Sequence, residues 1–386
     1  MAMREAAPPR EGLDLDPKPA DWDAFVARSN PGSYLQTSAW AEVKAANGWR
    51  PMRFMHQPDG STGQSAGSVG VFGAQALIRR PRAFPWAFAY APRGPVCERW
   101  NPETVAAFSE AFRAAASNPQ AAHGTHISHI RIEPEIEFEG PFDEDGELRH
   151  ALHVNGWRAA PPIQPPRTRQ IDLRADEQAL WGELRKKWRQ YVNKATRSGV
   201  KVVDAGPERL PEFYEIYRET ARRAEFIIRT FESYRATWDA FARLGMARLL
   251  FAEDADGKPQ ATLFLIRVGD KVIEPYGGMT EAGAELRANY LLKWEAIRTS
   301  KLASATVYDM WGLSHGGIEH FKTGFGGREI RYVGAWDLVR NPAGRLAFEA
   351  GEGLAVRMGR LKHGIRHSHS REEAAGTANE ETEAKE

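Results

Sequence analysis

The chain has 386 residues, 42 % of them apolar and 12 of them tryptophan; that exceeds one ordinary core, and roughly 150 residues per domain predicts two or three domains. Lys and Arg total 52 against 51 acids, so no global field drives nucleic-acid or membrane binding, and any such contact must come from local patches. The single cysteine, Cys97, excludes an internal disulfide framework and a cysteine-based zinc site, and with no secretory signal and no apolar run near the ~18 residues of a membrane span, a soluble cytoplasmic protein is expected.

Residues 1–19 are Pro-rich and polar, and disorder is expected there. Asp21 to Ser29 reads as a short helix with Trp22, Phe25 and Val26 inward. In Q-T-S-A-W-A-E-V-K, Gln36 to Lys44, Ser38 is a candidate cap for a helix whose Trp40 and Val43 face the core. Lys44 would stand at its C-terminal end, beside Gly48-Trp49. Strands are predicted over Trp49 to His56 and Ser68 to Arg79, joined by the turn signal P-D-G-S-T-G. Phe84 to Val96 is extended, and the prolines of A-P-R-G-P-V mark its edge or end. A helix over Pro102 to Ala116, a strand over Ile127 to Ile132 ending in R-I-E-P-E, and a helix over Leu148 to Gly156 follow.

The second half repeats this order. A strand over Arg169 to Leu173 leads into one long helix, Asp176 to Arg197, then a strand over Val200 to Val203. Helices over Pro207 to Arg223 and Phe231 to Leu244 precede a meander of Ala247 to Glu253, Thr262 to Val268 and Lys271 to Gly277. A helix over Ala284 to Ser300, a short strand from Ala305 to Tyr308 and a last strand over Arg331 to Val339 close the pattern. Both halves thus read as α/β (α+β) domains with mixed sheets, because the hairpin turns demand antiparallel pairs. The expected division is 20–160 and 161–330, with the late strand 331–340 able to return to the first domain. A basic helix over 341–370, carrying Arg357, Arg360, Lys362 and Arg366, and an acidic disordered tail over 371–386 are expected beyond it.

Several residues are candidates for chemistry. Lys322 lies between Phe321 and Phe325 on a segment bracketed by glycine pairs. A cation between two rings suits an anionic, flat-ringed ligand; the alternative is core phenylalanines and a solvated lysine. The run from Arg185 to Lys201 interleaves seven cations with Trp188 and Tyr191. It reads as a phosphate-contacting face or as an amphipathic helix with solvated charges. Arg229, in E-F-I-I-R-T-F-E-S-Y with Tyr234, interrupts an apolar run and suits a bidentate clamp on phosphate or carboxylate, or a structural ion pair. Tyr276 ends a strand before two glycines, where a ligand can approach the backbone. Glu133 sits at a strand end before a proline, a place for a proton relay or simply for a surface carboxylate. The histidines at 363, 367 and 369 include an i, i+4 pair but lie near a tail without acidic partners for a metal, and those at 123, 126 and 129 are at loop spacing. No G-x-x-x-x-G-K-[ST] motif supports P-loop ATP hydrolysis.

In order, Q-T-S-A-W-A-E-V-K, A-P-R-G-P-V, N-Y-L-L-K-W-E-A-I-R, Y-D-M-W-G and G-I-E-H-F-K-T-G-F-G-G resemble the FemABX family of peptidoglycan bridge-forming aminoacyltransferases, over about residues 20–340. The resemblance implies two tandem acetyltransferase-like (GNAT) domains and no cofactor. It implies a donor, aminoacyl-tRNA, and an acceptor, the peptide stem of a UDP- or lipid-linked muramyl-pentapeptide precursor. Lys44 and Arg229 would hold the precursor's diphosphate, with Tyr234 and Tyr276 contacting substrate in the cleft. Phe321 and Lys322 would act at the aminoacyl-tRNA end and in transfer, and Glu133 stands where other members carry Asp. The helix Asp176 to Arg197 is too short for the coiled-coil arm of some members. A monomer is expected, with its basic C-terminal helix able to brush the inner membrane face. The ester donor is already activated, so no ATP is needed, while an acceptor amine of pKa ~10.4 must first lose a proton. Lys322 would then stabilise the oxyanion or the departing ribose oxygen. Two alternatives remain at this level. One is a coenzyme-A-dependent N-acyltransferase, whose R/Q-x-x-G-x-G/A loop is missing, the nearest run beginning at Ala242. The other is a non-catalytic RNA- or precursor-binding protein.

Overall fold

Side-chain oxygens of Thr37, Asn101, Asp176 and Thr280 turn back onto backbone N–H groups and set where four of the helices begin. The computed structural model describes residues 11–58, 69–81, 84–313 and 317–351. Its first part runs β1 (Leu13–Asp14), α1 (Pro19–Arg28), α2 (Ser38–Ala45), β2 (Arg50–His56), β3 (Phe72–Arg79), β4 (Trp86–Ala91), β5 (Val96–Cys97), α3 (Pro102–Ser117), β6 (His126–Ile132), α4 (Glu147–Val154) and β7 (Trp157–Ala160). The second runs β8 (Arg167–Asp172), α5 (Glu177–Glu183), α6 (Lys186–Arg197), β9 (Lys201–Ala205), α7 (Leu210–Arg223), α8 (Phe231–Ala242), β10 (Ala247–Glu253), β11 (Pro259–Val268), β12 (Lys271–Met279), α9 (Glu281–Leu286), α10 (Ala288–Leu302), β13 (Val307–Asp309), α11 (Gly317–Thr323), β14 (Arg328–Arg331) and β15 (Ala335–Val339). A further helix occupies 342–351.

The strands form two mixed sheets. The first has the order β1-β2-β3-β4-β6-β15-β7, with β5 paired to β3; the second has the order β14-β8-β13-β12-β11-β10-β9. Each contains one parallel pair, β4 with β6 and β12 with β13, and is otherwise antiparallel. Helices α3 and α4 cover the outer face of the first sheet over Phe54, Phe108, Phe112 and Trp157. Helices α6 and α10 cover the outer face of the second over Trp188, Val192, Leu292 and Ile297. The two inner faces share a third core, in which Trp22 and Trp40 from α1 and α2 meet Phe213 and Phe241 from α7 and α8. This common apolar layer fixes one half against the other, since burial is worth about 25 cal/mol per Å².

Several boundaries differ from the sequence reading, each for a tertiary reason. Order begins inside 1–19, because Leu13 and Asp14 pair with His56 and Met55; residues 1–10 lie outside the described residues. Thr37, not Ser38, caps α2, because the Ser38 backbone N–H and hydroxyl both go to the Asp23 carboxylate. The long helix expected over 176–197 is two helices: Leu184 and Arg185 are extended, and the Arg185 N–H donates to the Gly324 carbonyl at 2.9 Å. Arg287, with φ at +60°, divides the 284–300 helix into α9 and α10. The last strand is split, with Gly334 at φ +86° between its parts. Its first part, β14, stays in the second sheet, while β15 enters the first between β6 and β7. There Asp337, fully buried, takes two bonds from Arg131 at 2.7 and 2.9 Å and one from Arg345 at 3.0 Å. The expected cations Arg357, Arg360, Lys362 and Arg366, the histidines at 363, 367 and 369, and the tail 371–386 lie outside the described residues. No helix among the described residues is long and apolar enough to cross a membrane.

Candidate active site: two cavities sharing a wall

The first cavity, about 590 Å³, opens where the edge of α2 and the end of β3 face the loop before α8. Capping at Thr37 sets the phase of α2, so Trp40 is buried while Lys44 emerges at its last turn. Strand β3 ends on Arg79, and Arg229 sits just before α8. These cations alternate with two indoles. The Arg229 guanidinium lies 5.4 Å from the Trp40 ring, and the Lys44 ammonium 5.2 Å from Trp40 and 5.8 Å from Trp49. Arg79 lies 5.5 Å from Trp49 on its other side. Among the described residues no carboxylate comes within 4.0 Å of any of the three. Burial, aided by the charges of Arg229 and Arg79, draws the Lys44 pKa down to about 8. Three cations facing one cavity, with no counter-charge among the described residues, make a site for a polyanion. Indole faces hold them in place at ~0.5–2 kcal/mol each. The remaining wall includes the apolar side chains of Leu77, Phe88 and Phe348.

Tyr276 also lines this cavity, and burial raises its pKa while Arg229 pulls it back. Tyr234 does not line it. Its ring is buried 5.0 Å from Tyr276, and its hydroxyl accepts the Arg229 N–H at 3.2 Å, so it braces the loop that presents Arg229. Glu133 also stands behind the wall. Its carboxylate accepts from the Ile163 and Gln164 N–H groups at 2.7 and 2.9 Å and from the Tyr90 hydroxyl at 3.1 Å. Burial raises its pKa against those bonds. Tyr90, Ile163 and Gln164 line the cavity, and Glu133 holds them there.

The second cavity, about 460 Å³, follows from a splayed pair of strands. Strand β13 pairs with β12 only over Lys271 to Ile273, and β12 then runs on to Met279 without a neighbour on that side. Glu274, Gly277, Gly278, Asn289, Phe321 and Lys322 are among the residues around the gap. The Lys322 ammonium donates to the carbonyls of Met310, Trp311 and Gly312 at 2.7, 3.1 and 2.8 Å. Three acceptors match the three N–H bonds of the charged form, while burial draws the pKa down to about 8. Lys322 is therefore not held between rings: its neighbours are carbonyls, and the cation near Phe321 is Lys293, 5.7 Å from that ring. Lys293 pairs in turn with Glu274, which also accepts from the Tyr308 hydroxyl at 2.6 Å.

Lys44, Arg229 and Tyr276 thus share one cavity, and Phe321 and Lys322 share another. The two cavities meet at two places in the chain. On β12, Tyr276 faces the first and Gly277 the second; past β13, Trp311 faces the first and Gly312 the second. Lys322 clamps the latter partition. Arg79, the Glu274–Lys293 pair and Arg93, buried with its guanidinium 4.1 Å from the Tyr332 ring, were not singled out in the sequence. A lysine inside the apolar run L-L-K-W of α10 was the available signal for Lys293.

Two linked mixed sheets, each with one parallel pair and the second splayed around a cavity, form a tandem acetyltransferase-like fold. The chain belongs to the FemAB family, whose profile matches residues 18–256 and 242–350. It is 24 % identical over 236 residues to the lipid II:glycine glycyltransferase of Staphylococcus haemolyticus (strain JCSC1435). That match covers 60 % of this chain, and the chain spans about half the length of that relative, 53 %. Among solved structures it is similar to FemX, with a TM-score of 0.73 at 20 % identity, over 85 % of this chain and 98 % of that one. It is also similar to L-PGS from Bacillus licheniformis, with a TM-score of 0.51 at 13 % identity, over 89 % and 98 %.

Proposed function

We propose that the protein transfers an amino acid from aminoacyl-tRNA to an amine on the peptide stem of a peptidoglycan precursor in the cytoplasm. Membership of the FemAB family and the relative named a lipid II:glycine glycyltransferase support the reaction class. The observation that carries the reading is the pairing of a three-cation cavity, unopposed among the described residues, with a second cavity across a thin partition. In this reading Lys44, Arg79 and Arg229 hold the precursor's diphosphate, whether UDP- or lipid-linked, by charge-assisted hydrogen bonds. Tyr276 contacts the stem, and Glu133 and Tyr234 position the walls. The aminoacyl ester enters the second cavity beside Phe321. The stem amine, once deprotonated, attacks the ester carbonyl across the partition. An amide bond forms, the ester C–O bond breaks, and the proton goes to the departing ribose oxygen.

Holding both substrates at one boundary supplies proximity worth several kcal/mol, about 7–11 at the upper end. Lys322 acts here through the partition. All three of its N–H bonds are committed, so an oxyanion would have to displace a carbonyl to reach it. The test is purified protein with a mixed pool of charged tRNAs and both UDP- and lipid-linked precursors, with products read by mass. Addition of one or more aminoacyl residues is expected. No product with charged tRNA, together with acylation from acetyl-CoA, would replace this reading with a coenzyme-A-dependent one.

A further inference from the structure

Helix α6 carries Lys186, Lys187, Arg189, Lys194 and Arg197 and no acidic residue. Elsewhere several exposed arginines are answered by a carboxylate: Arg174 by Asp172, Arg218 by Glu215, Arg243 by Glu42. Arg189 is committed to the carbonyls of Gly182 and Leu184, at 2.8 and 2.6 Å. The other four are exposed, and among the described residues no carboxylate lies within 4.0 Å of them. Lys187 and Lys194 stand about two turns apart, and Lys186 and Arg197 about three, so the four form two neighbouring stripes. Gln190, Asn193 and Thr196 are exposed among these cations. Such a face offers hydrogen bonds to phosphates and ribose hydroxyls. It lacks the Trp, Phe or Leu with which an interfacial helix enters a bilayer.

The same helix is fastened to the second cavity. The Trp188 indole donates to the Phe321 carbonyl at 3.0 Å, and the Arg185 N–H to that of Gly324 at 2.9 Å. Gly324 packs so closely that a Cβ there would lie 2.2 Å from the Trp188 ring. The cationic face and the segment carrying Phe321 and Lys322 therefore move as one body. We infer that α6 is the docking face for the base-paired stem of an RNA, whose single-stranded 3′ end crosses α11 into the second cavity. This rests on the aminoacyl-tRNA reading and supplies the contact surface for that donor.

The experiment measures fluorescence anisotropy of a labelled RNA hairpin with a single-stranded 3′ end. The fourfold variant Lys186→Gln, Lys187→Gln, Lys194→Gln and Arg197→Gln is compared with wild type and with a charge-keeping variant, Lys→Arg at the three lysines. The fourfold variant is expected to bind at least about tenfold more weakly, and its log–log salt slope to flatten by ~0.7–0.9 for each phosphate that is no longer neutralised. The charge-keeping variant should match wild type. In transfer assays the KM for charged RNA should rise while kcat holds. Unchanged hairpin affinity and slope in the fourfold variant would overturn the proposal. So would loss only of binding to anionic phosphatidylglycerol vesicles, or a wild-type protein that ignores the hairpin. Active transfer with unaltered KM in the fourfold variant removes the docking face and leaves the transfer reading standing. Hairpin binding that needs α6, with no transfer to either precursor, does the reverse.

Discussion

At the scale of single residues, the position of Lys44 between Trp40 and Trp49 makes it a pH-dependent anchor. Its pKa is about 8 rather than 10.5, chiefly through burial and then through Arg229 and Arg79. Between these values the folded state binds fewer protons than the unfolded state, so this group's contribution to stability rises with pH across that window. Anion binding goes the other way, because the charge it needs is lost as pH rises through about 8. Affinity for a diphosphate should fall by up to about thirtyfold between pH 7 and 9.5. Calorimetry in buffers of different ionisation enthalpy should show proton uptake on binding near pH 8. Lys44→Arg should flatten both, and persistence of either in that variant would assign the titration elsewhere. Arg79→Ala should weaken pyrophosphate binding by about 1.5–3 kcal/mol, the scale of a charge-assisted bond, read by the same method; unaltered affinity would remove Arg79 from the site. Lys322→Met should abolish transfer while diphosphate binding is kept, and full transfer in that variant would end its role. Lys44 was singled out through the family resemblance, and Arg229 through that and because it interrupts an apolar run; the fold brings both to one cavity. Arg79 was not, because nothing in the sequence says which end of a strand opens onto a cavity. Glu133 and Tyr234 were visible as unusual residues, but only the fold shows that each stands behind the cavity wall, bonded to residues that line it.

At the scale of elements, the break between α5 and α6 shows where periodicity misleads. The apolar spacing through Leu180, Leu184 and Trp188 is helical throughout, and a single helix is the natural reading. The bond from Arg185 to Gly324 lies far away in sequence and turns the chain at that point. Long-range bonds of this kind leave no local mark. Glycine at 324 is the visible half of the joint. Gly324→Ala forces a Cβ against the Trp188 ring, with an expected cost of about 1–3 kcal/mol. The urea midpoint should drop accordingly, and near-UV dichroism of the tryptophans should change. A midpoint within error of wild type would mean that α6 and α11 are not tightly joined. The antiparallel pairs of the meander, by contrast, followed directly from the turn chemistry of D-A-D-G-K-P and Gly269-Asp270.

At the scale of the molecule, the repeated order of elements made two similar halves legible, but not the core they share. The faces of α1, α2, α7 and α8 that close on each other are apolar in ordinary ways. The return of β15 into the first sheet is held by a buried charge, Asp337, with Arg131 and Arg345 around it. Removing one partner of such a pair costs about 3–5 kcal/mol. Arg131→Met should therefore lower the urea midpoint strongly, and a loss below about 1 kcal/mol would show that the strand is held by its ladder alone. Domains emerging from a ribosome generally fold from the N-terminus as units. Here an interior strand of the leading half is made after the trailing half. Until it arrives, β6 and β7 wait with open edges through the synthesis of the second sheet, so the first sheet cannot close before the second has been made.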